Sequence, residues 1–223
     1  DAYVARDPYG VRPMFKQTYT AGEFFPDKCI IFASEMKQLV HDDNVNSRIR
    51  QITPGTYTHL QNIKAEWKIV NTQQFTNFSF HTIHITDPFY QIKTIKHTIR
   101  TLLTNAVKKR VLATDRPIAC LLSGGLDSSL ITSLVCKLAG KQIETYSIGL
   151  PNSEDLKYAR IVAKHLNTKH NEIIVTEDDF FAAIPKVIKT IESYDITTVR
   201  ASVGNYLVAK YISEHSDAKV IFN

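Results

Sequence analysis

Cysteine, methionine and tryptophan are scarce in this 223-residue chain, with three, two and one of each. The cysteines, Cys29, Cys120 and Cys136, are odd in number and far apart. That excludes a disulfide framework and a cysteine-rich zinc site; it suits a reducing compartment, with the thiols buried in apolar strand or helix patterns. None stands in a Cys/His constellation, so none is read as a nucleophile. Long apolar runs are missing: nothing approaches the ~20 residues that span a bilayer, and no signal-peptide pattern opens the chain. Internal repeats, low-complexity tracts and the Gly-x4-Gly-Lys-Ser/Thr phosphate loop are absent as well. The net charge is only +5, on scattered basic residues. Their one cluster, Lys108-Lys109-Arg110, reads as a solvated helix face, so neither nucleic acid nor membrane is expected as a partner.

What remains is an ordinary globular composition, 43% hydrophobic and 22% charged, in two textures. Residues 1–80 read as β-rich. Tyr3-Val4-Ala5 runs into the turn signal Asp7-Pro8-Tyr9-Gly10, a run follows at residues 11–19, and residues 29–33 form another strand candidate. Residues 34–40 suggest a short helix, and Thr53-Pro54-Gly55-Thr56 a turn. Polar and aromatic residues without a period lead across a connection at 81–90. From 91 to 223 the pattern changes. Ile92, Ile95, Ile99, Leu102, Leu103, Ala106 and Val107 make the stripe of an amphipathic helix. Strands at 118–122, 143–148, 173–175 and 219–222 then alternate with helices. One is ended by Gly140, one follows Ser153 as N-cap, and one opens at Thr176 and restarts at Pro185. The last holds Tyr206 and Tyr211. Such alternation predicts an α/β fold with a parallel, doubly wound sheet. With right-handed crossovers the second strand lies beside the first and the third outside it; the fourth falls on the other side of the first. Ser123 and Asn223 then flank one crevice at the carboxyl ends of the strands, with Arg200 near its mouth.

The segment Ser123-Gly124-Gly125-Leu126-Asp127-Ser128-Ser129 carries the chemistry. A buried strand runs into two glycines and straight into a helix, whose first N–H groups are unpaired and carry the positive dipole end. Glycines let the backbone approach an anion, and three serines add hydroxyl donors. Asp127 beside a phosphate would repel it unless Mg²⁺ intervenes, so it reads as a magnesium ligand. The bland alternative is a Gly-rich turn with Asp127 as a cap; the flanking elements, the serines and the acid together weigh against it.

Ser-Gly-Gly-x-Asp-Ser resembles the loop of the ATP pyrophosphatases, the PP-loop family. Three further segments resemble the glutamine-dependent asparagine synthetases: Ser147-Ile148-Gly149-Leu150-Pro151, Tyr194 to Ser202 with Thr197-Thr198-Val199-Arg200, and Phe32-Ala33-Ser34-Glu35-Met36-Lys37. Residues 6–15 look like the latter part of a class II glutamine amidotransferase domain of the Ntn type. The resemblance runs along essentially the whole chain. It implies ATP and Mg²⁺ as cofactors, with Ser123, Gly124, Gly125, Asp127, Ser128 and Ser129 on pyrophosphate and metal. It puts Leu121, Ile148 and Gly149 at adenosine, and Thr197, Thr198 and Arg200 near the α-phosphate and acyl-adenylate. The implied reaction makes asparagine from aspartate with glutamine or ammonia through β-aspartyl-AMP, in the cytoplasm, and the resemblance allows a homodimer. Read singly, Ile148-Gly149 is a strand end, Thr197 and Thr198 are N-caps, Arg200 is a surface charge and Arg6-Asp7 a turn ion pair.

The family's N-terminal cysteine nucleophile has no counterpart here, its Gly-x-Gly-Ser-Asp-Glu segment would follow Asn223, and a later lysine is missing. With Asp1 in place of an initiating methionine, the expectation is a fragment that makes no asparagine alone. Other readings are an amidotransferase-type ligase like β-lactam synthetase, which Thr-Thr-Val-Arg-Ala-Ser disfavours, and a non-catalytic binding fragment.

Overall fold

The computed structural model describes residues 1–19, 29–40, 49–78 and 88–223. The chain divides into two compact units, Asp1–Ile83 and His84–Asn223. Of the connection expected at 81–90, residues 81–87 lie outside the described residues.

In the first unit, short β-branched and aromatic runs build two antiparallel sheets. Strands β1 (Ala2–Ala5), β5 (Thr56–Ile63) and β6 (Glu66–Gln74) pair in the order β1-β5-β6; β2 (Phe15–Tyr19), β3 (Cys29–Ala33) and β4 (Arg50–Gln51) pair as β3-β2-β4. The helix expected at 34–40 is a single 3-10 turn, Met36–Gln38. The Arg6-Asp7 ion pair does not form. Arg6 is 7% exposed and donates to the carbonyls of Ile52 at 2.6 Å, Arg12 at 3.0 Å and Gly10 at 3.0 Å. Asp7 accepts the backbone N–H groups of Tyr9, Val11 and Arg12 at 3.0–3.2 Å. These bonds, that from Val11 foremost, hold its carboxyl below the usual range. A buried guanidinium spent on carbonyls fixes a loop, where an ion pair would have left those carbonyls unserved.

The second unit runs α1 (Pro88–Leu112), β7 (Ile118–Leu121), α2 (Leu126–Ala139), β8 (Glu144–Gly149), α3 (Glu154–Leu166), β9 (Lys169–Ile174), α4 (Glu177–Ile191), α5 (Ile196–His215) and β10 (Val220–Phe222). Its four strands are all parallel and ordered β10-β7-β8-β9, the arrangement expected from the crossover rule. Side chains alternate across the sheet. Ile118 and Cys120 pack with Val107 and Val111 of α1 and Val135 of α2, while Leu122 meets Ala159 and Ala163 of α3. Ala119 packs oppositely, with Tyr146 and with Val208 and Ile212 of α5, on which α4 rests. Helices on both faces make the sheet doubly wound.

Four expectations need correction. Pro185 does not restart a helix, because α4 passes through it. The freed carbonyl of Phe181 lies on an exposed side, and Ala183 and Val187 bury the opposite side against α5, offsetting the ~3 kcal/mol of a mid-helix proline. Strand β9 starts at Lys169, four residues before the apolar run. Ser153 is the N-cap of α3, but its hydroxyl makes no cap bond. The stripe Ile92, Ile95, Ile99 and Leu102 on α1 is 41–63% exposed; only the later Val107 and Val111 reach the core.

Candidate functional site

The crevice lies beyond the carboxyl ends of β7 and β10, where strand order reverses. Leu121, Ser123 and Ser128 line it on one side, Ser147 and Ile148 of β8 on another, with Asn205 of α5 and Asn223. Its cavity of about 120 Å³ is too small to enclose a nucleotide, so a ligand of that size would lie across the open mouth. A larger groove of about 480 Å³ lies between α4 and α5. Among the described residues its walls are Phe180, Phe181, Ile184 and other largely apolar side chains, with Arg200 and Tyr194 bringing the polar groups.

The two loop glycines do different work. Gly124 has φ +82, and a Cβ there would stand 2.5 Å from the backbone nitrogen of Ala159 and 2.6 Å from Cβ of Tyr158. Backbone conformation and contact with α3 both demand glycine. Gly125, the N-cap of α2, has φ −68, and its Cβ would meet only Ser123 Oγ at 3.4 Å. The protein's own packing does not require glycine at 125. Ser123 Oγ and Ser128 Oγ lie 2.9 Å apart, and Ser128 Oγ donates to the Gly125 carbonyl at 3.2 Å. The first intrahelical bond is Ser129 N–H to the Gly125 carbonyl, so the N–H groups of Leu126, Asp127 and Ser128 have no helical acceptor. Ser129 Oγ is buried without a hydrogen-bond partner. Asp127 is exposed on the first turn. No group of three or more His, Cys, Asp or Glu gathers among the described residues. Burial pushes the Cys120 thiol up to about 12 and also raises Cys29 and Cys136, so none is a thiolate at neutral pH.

Residues 98–223 match the family model described as asparagine synthase. This chain belongs to the asparagine synthase family. The glutamine-hydrolysing asparagine synthetase of Gallus gallus is 39% identical over 238 aligned positions, which take in 99% of this chain. Those of Rattus norvegicus and Homo sapiens are 38% and 37% identical over the same share. The chain spans 41% of the length of each of these relatives. Among solved structures, the NH3-dependent NAD synthetase of Campylobacter jejuni aligns with 56% of this chain and 54% of its own at 17% identity. Its TM-score is 0.40.

Not every residue that the asparagine synthase resemblance singles out lines the crevice. Leu121, Ser123, Ser128 and Ile148 do. Gly149 ends the same strand and abuts α3: a Cβ there would stand 2.5 Å from Ser153 Oγ and 3.2 Å from Leu156 Cγ. Thr197 and Thr198 are exposed on the first turn of α5 and Arg200 at the start of the second, and Arg200 lines the apolar groove instead of the crevice mouth. The cap of α5 is neither threonine but Asp195, whose Oδ2 accepts Thr198 N–H and Thr198 Oγ1, both at 2.8 Å. The Thr198 bonds lead in holding Asp195 below the usual carboxylate range. Asn205 and Ser147 are crevice residues that sequence reasoning missed. Asn205 carries no local signal, since only the docking of α5 on the sheet brings it there.

Proposed function

We propose that the protein to which this chain belongs makes asparagine from aspartate, ATP and glutamine, and that this chain carries the ATP side of the synthetase site. What supports this reading most is the contrast between the glycines: Gly124 is demanded by packing, while Gly125 borders open space beside three unpaired N–H groups. A bare backbone with no packing reason to be bare suits a ligand that comes close.

The aspartate β-carboxylate attacks the α-phosphorus of ATP, and the bond to pyrophosphate breaks. Ammonia then attacks the acyl carbon of β-aspartyl-AMP and expels AMP. Ser123, Gly124, Gly125, Ser128 and Ser129 hold the departing pyrophosphate through N–H and hydroxyl donors. Leu121, Ile148 and Gly149 border adenosine, with Thr197 nearby. Thr198 and Arg200 serve the acyl-adenylate as charge-assisted donors. Arg200 stands five residues before Asn205 on α5, about 7.5 Å along the axis and about 140° around it; it lines the groove between α4 and α5, so the proposed role requires its long side chain to turn toward the crevice. Mg²⁺, when bound, offsets phosphate charge. One carboxylate, Asp127, suits it, because this ion keeps most of its ligands from phosphate and water. Residues 1–80 are the latter part of a glutaminase domain, 81–90 a connection and 91–223 the first part of the synthetase domain. The chain by itself makes no asparagine, its protein works in the cytoplasm, and a homodimer is compatible with it.

The test is product analysis of the full-length protein with ATP, Mg²⁺, aspartate and ammonia. AMP, pyrophosphate and asparagine in equal amounts are expected. ADP and inorganic phosphate would overturn the assignment.

A further inference from the structure

The face of β8 that looks toward α3 is unusually polar for a parallel sheet covered by a helix, a layer that is normally apolar. Thr145 and Ser147 lie on it, and His170 of β9 bridges them. His170 Nδ1 lies 2.9 Å from Thr145 Oγ1, and His170 Nε2 lies 3.2 Å from Ser147 Oγ. Thr145 Oγ1 also meets Thr168 Oγ1 at 2.8 Å. Glu172 Oε1 stands 3.8 Å from His170 Nε2, and the Glu172 carboxylate takes two bonds from Arg160 of α3, at 2.6 and 2.7 Å. Glu172 and Arg160 are the charged groups that face the ring. Burial holds His170 below its ordinary value, so at neutral pH the ring is neutral and can hold one hydroxyl as donor and the other as acceptor.

This network joins two places that matter for a ligand. Ser147 lines the crevice, next to Ile148. Helix α3, tied down by Arg160, backs Gly124 through Tyr158 and Ala159 and backs Gly149 through Ser153 and Leu156. An apolar layer would hold α3 on the sheet more cheaply but would tolerate sliding. Paired polar groups favour one arrangement: a shift between the strands leaves the part-buried His170 or the buried Ser147 unpaired, while the bidentate Arg160–Glu172 bond, its arginine 59% exposed, adds a weaker, directional tie to α3.

We infer that His170 is a positioning residue for nucleotide binding: through Ser147 on one side and the Glu172–Arg160 pair on the other, it locks the end of β8 and helix α3 into the spacing that the crevice needs. The inference rests on the crevice being the nucleotide site. It is separable from general stability because the two ring nitrogens hold different things. The amide of asparagine reaches as far as Nδ1, and that of glutamine as far as Nε2. His170→Asn keeps the Thr145 bond and loses Ser147, while His170→Gln keeps Ser147 and loses Thr145.

The test is equilibrium dialysis of the full-length protein and both variants against ATP with Mg²⁺, with melting temperatures beside it. Similar melting losses are expected. His170→Asn should weaken nucleotide binding by about 3- to 10-fold relative to His170→Gln, the worth of one hydrogen bond. Equal affinities in the two variants, or affinities that follow the melting losses, would overturn the positioning role. Absence of saturable ATP binding by the wild-type full-length protein would overturn the nucleotide assignment itself and this inference with it.

Discussion

The two ends of the parallel sheet are built on opposite principles. At the carboxyl ends the polar groups are left open: three helix-start N–H groups without helical acceptors, a buried Ser129 hydroxyl without a partner, an exposed Asp127. At the amino ends a carboxylate is saturated. Glu144 accepts from Lys169 Nζ at 2.7 Å, Tyr146 Oη at 2.8 Å and Ser216 Oγ at 2.6 Å. The same strands carry both ends, about 16 Å apart over β8. Unsatisfied polar groups cost stability and are kept where a ligand can complete them; satisfied ones fix the fold.

The contrast breaks most visibly at Asp127. In the full-length protein, Asp127→Ala should lower aspartate-dependent pyrophosphate release by about 10²-fold or more with either nitrogen source, while glutamine hydrolysis persists. The melting temperature should hardly move, since the side chain is exposed. Near wild-type synthesis with ammonia would overturn the proposed magnesium role of Asp127.

A finer cut separates the two glycines. Gly124→Ala should destabilise this chain by more than about 1 kcal/mol, because the new Cβ meets backbone of α3 at a positive φ. Gly125→Ala should lower the melting temperature by no more than about 4 °C, the effect of a weaker N-cap, since only Ser123 Oγ stands nearby, yet weaken ATP binding about 10-fold or more by blocking backbone approach. If Gly125→Ala binds ATP like wild type, bare backbone at 125 serves no ligand.

Much of this was legible beforehand, for identifiable reasons. Strand order followed from alternation and crossover handedness, and the local chemistry at 123–129 marked the strand-to-helix turn where the unpaired N–H groups stand. What escaped was set by tertiary contact. Lys169-His170-Asn171-Glu172 lacks a strand pattern because His170 and Glu172 spend their side chains on a polar layer under α3. α4 tolerates Pro185 because its opposite side is buried. The start of α5 shows in the sequence only as a cap signal at Thr197 and Thr198, because Thr197, Thr198 and Ala201 do not form a stripe, although Val199, Val203, Val208 and Ile212 are buried. Arg200 was expected at the crevice because its motif suggests chemistry, but a motif fixes a residue's place on a helix and not the direction of a long side chain.

The smallest effect belongs at the satisfied end, and its value is that it should leave the other end alone. The Lys169 bond foremost, then that from Ser216, outweigh burial and hold the Glu144 carboxyl down to about 2, against an ordinary 4.5. A depressed folded value means that the folded state favours the charged carboxylate. The stabilisation is therefore complete above about pH 4.5 and is lost as the pH falls toward 2. Glu144→Gln keeps the shape and an acceptor oxygen but loses the charge. The pair with Lys169 is partly solvated, with 66% of the lysine side chain and 27% of the glutamate exposed, so screening trims its worth. The cost at pH 7 should be about 1–2 kcal/mol, or about 2–8 °C in melting temperature. The gap between wild type and variant should narrow steadily below pH 4.5 and close near 2, while ATP affinity at pH 7 stays within about 2-fold, as for independent sites. A gap that persists at low pH would mean that Glu144 contributes shape rather than charge. A loss of ATP affinity would mean that the two ends of the sheet are coupled, and that saturation at one end helps to hold the other open.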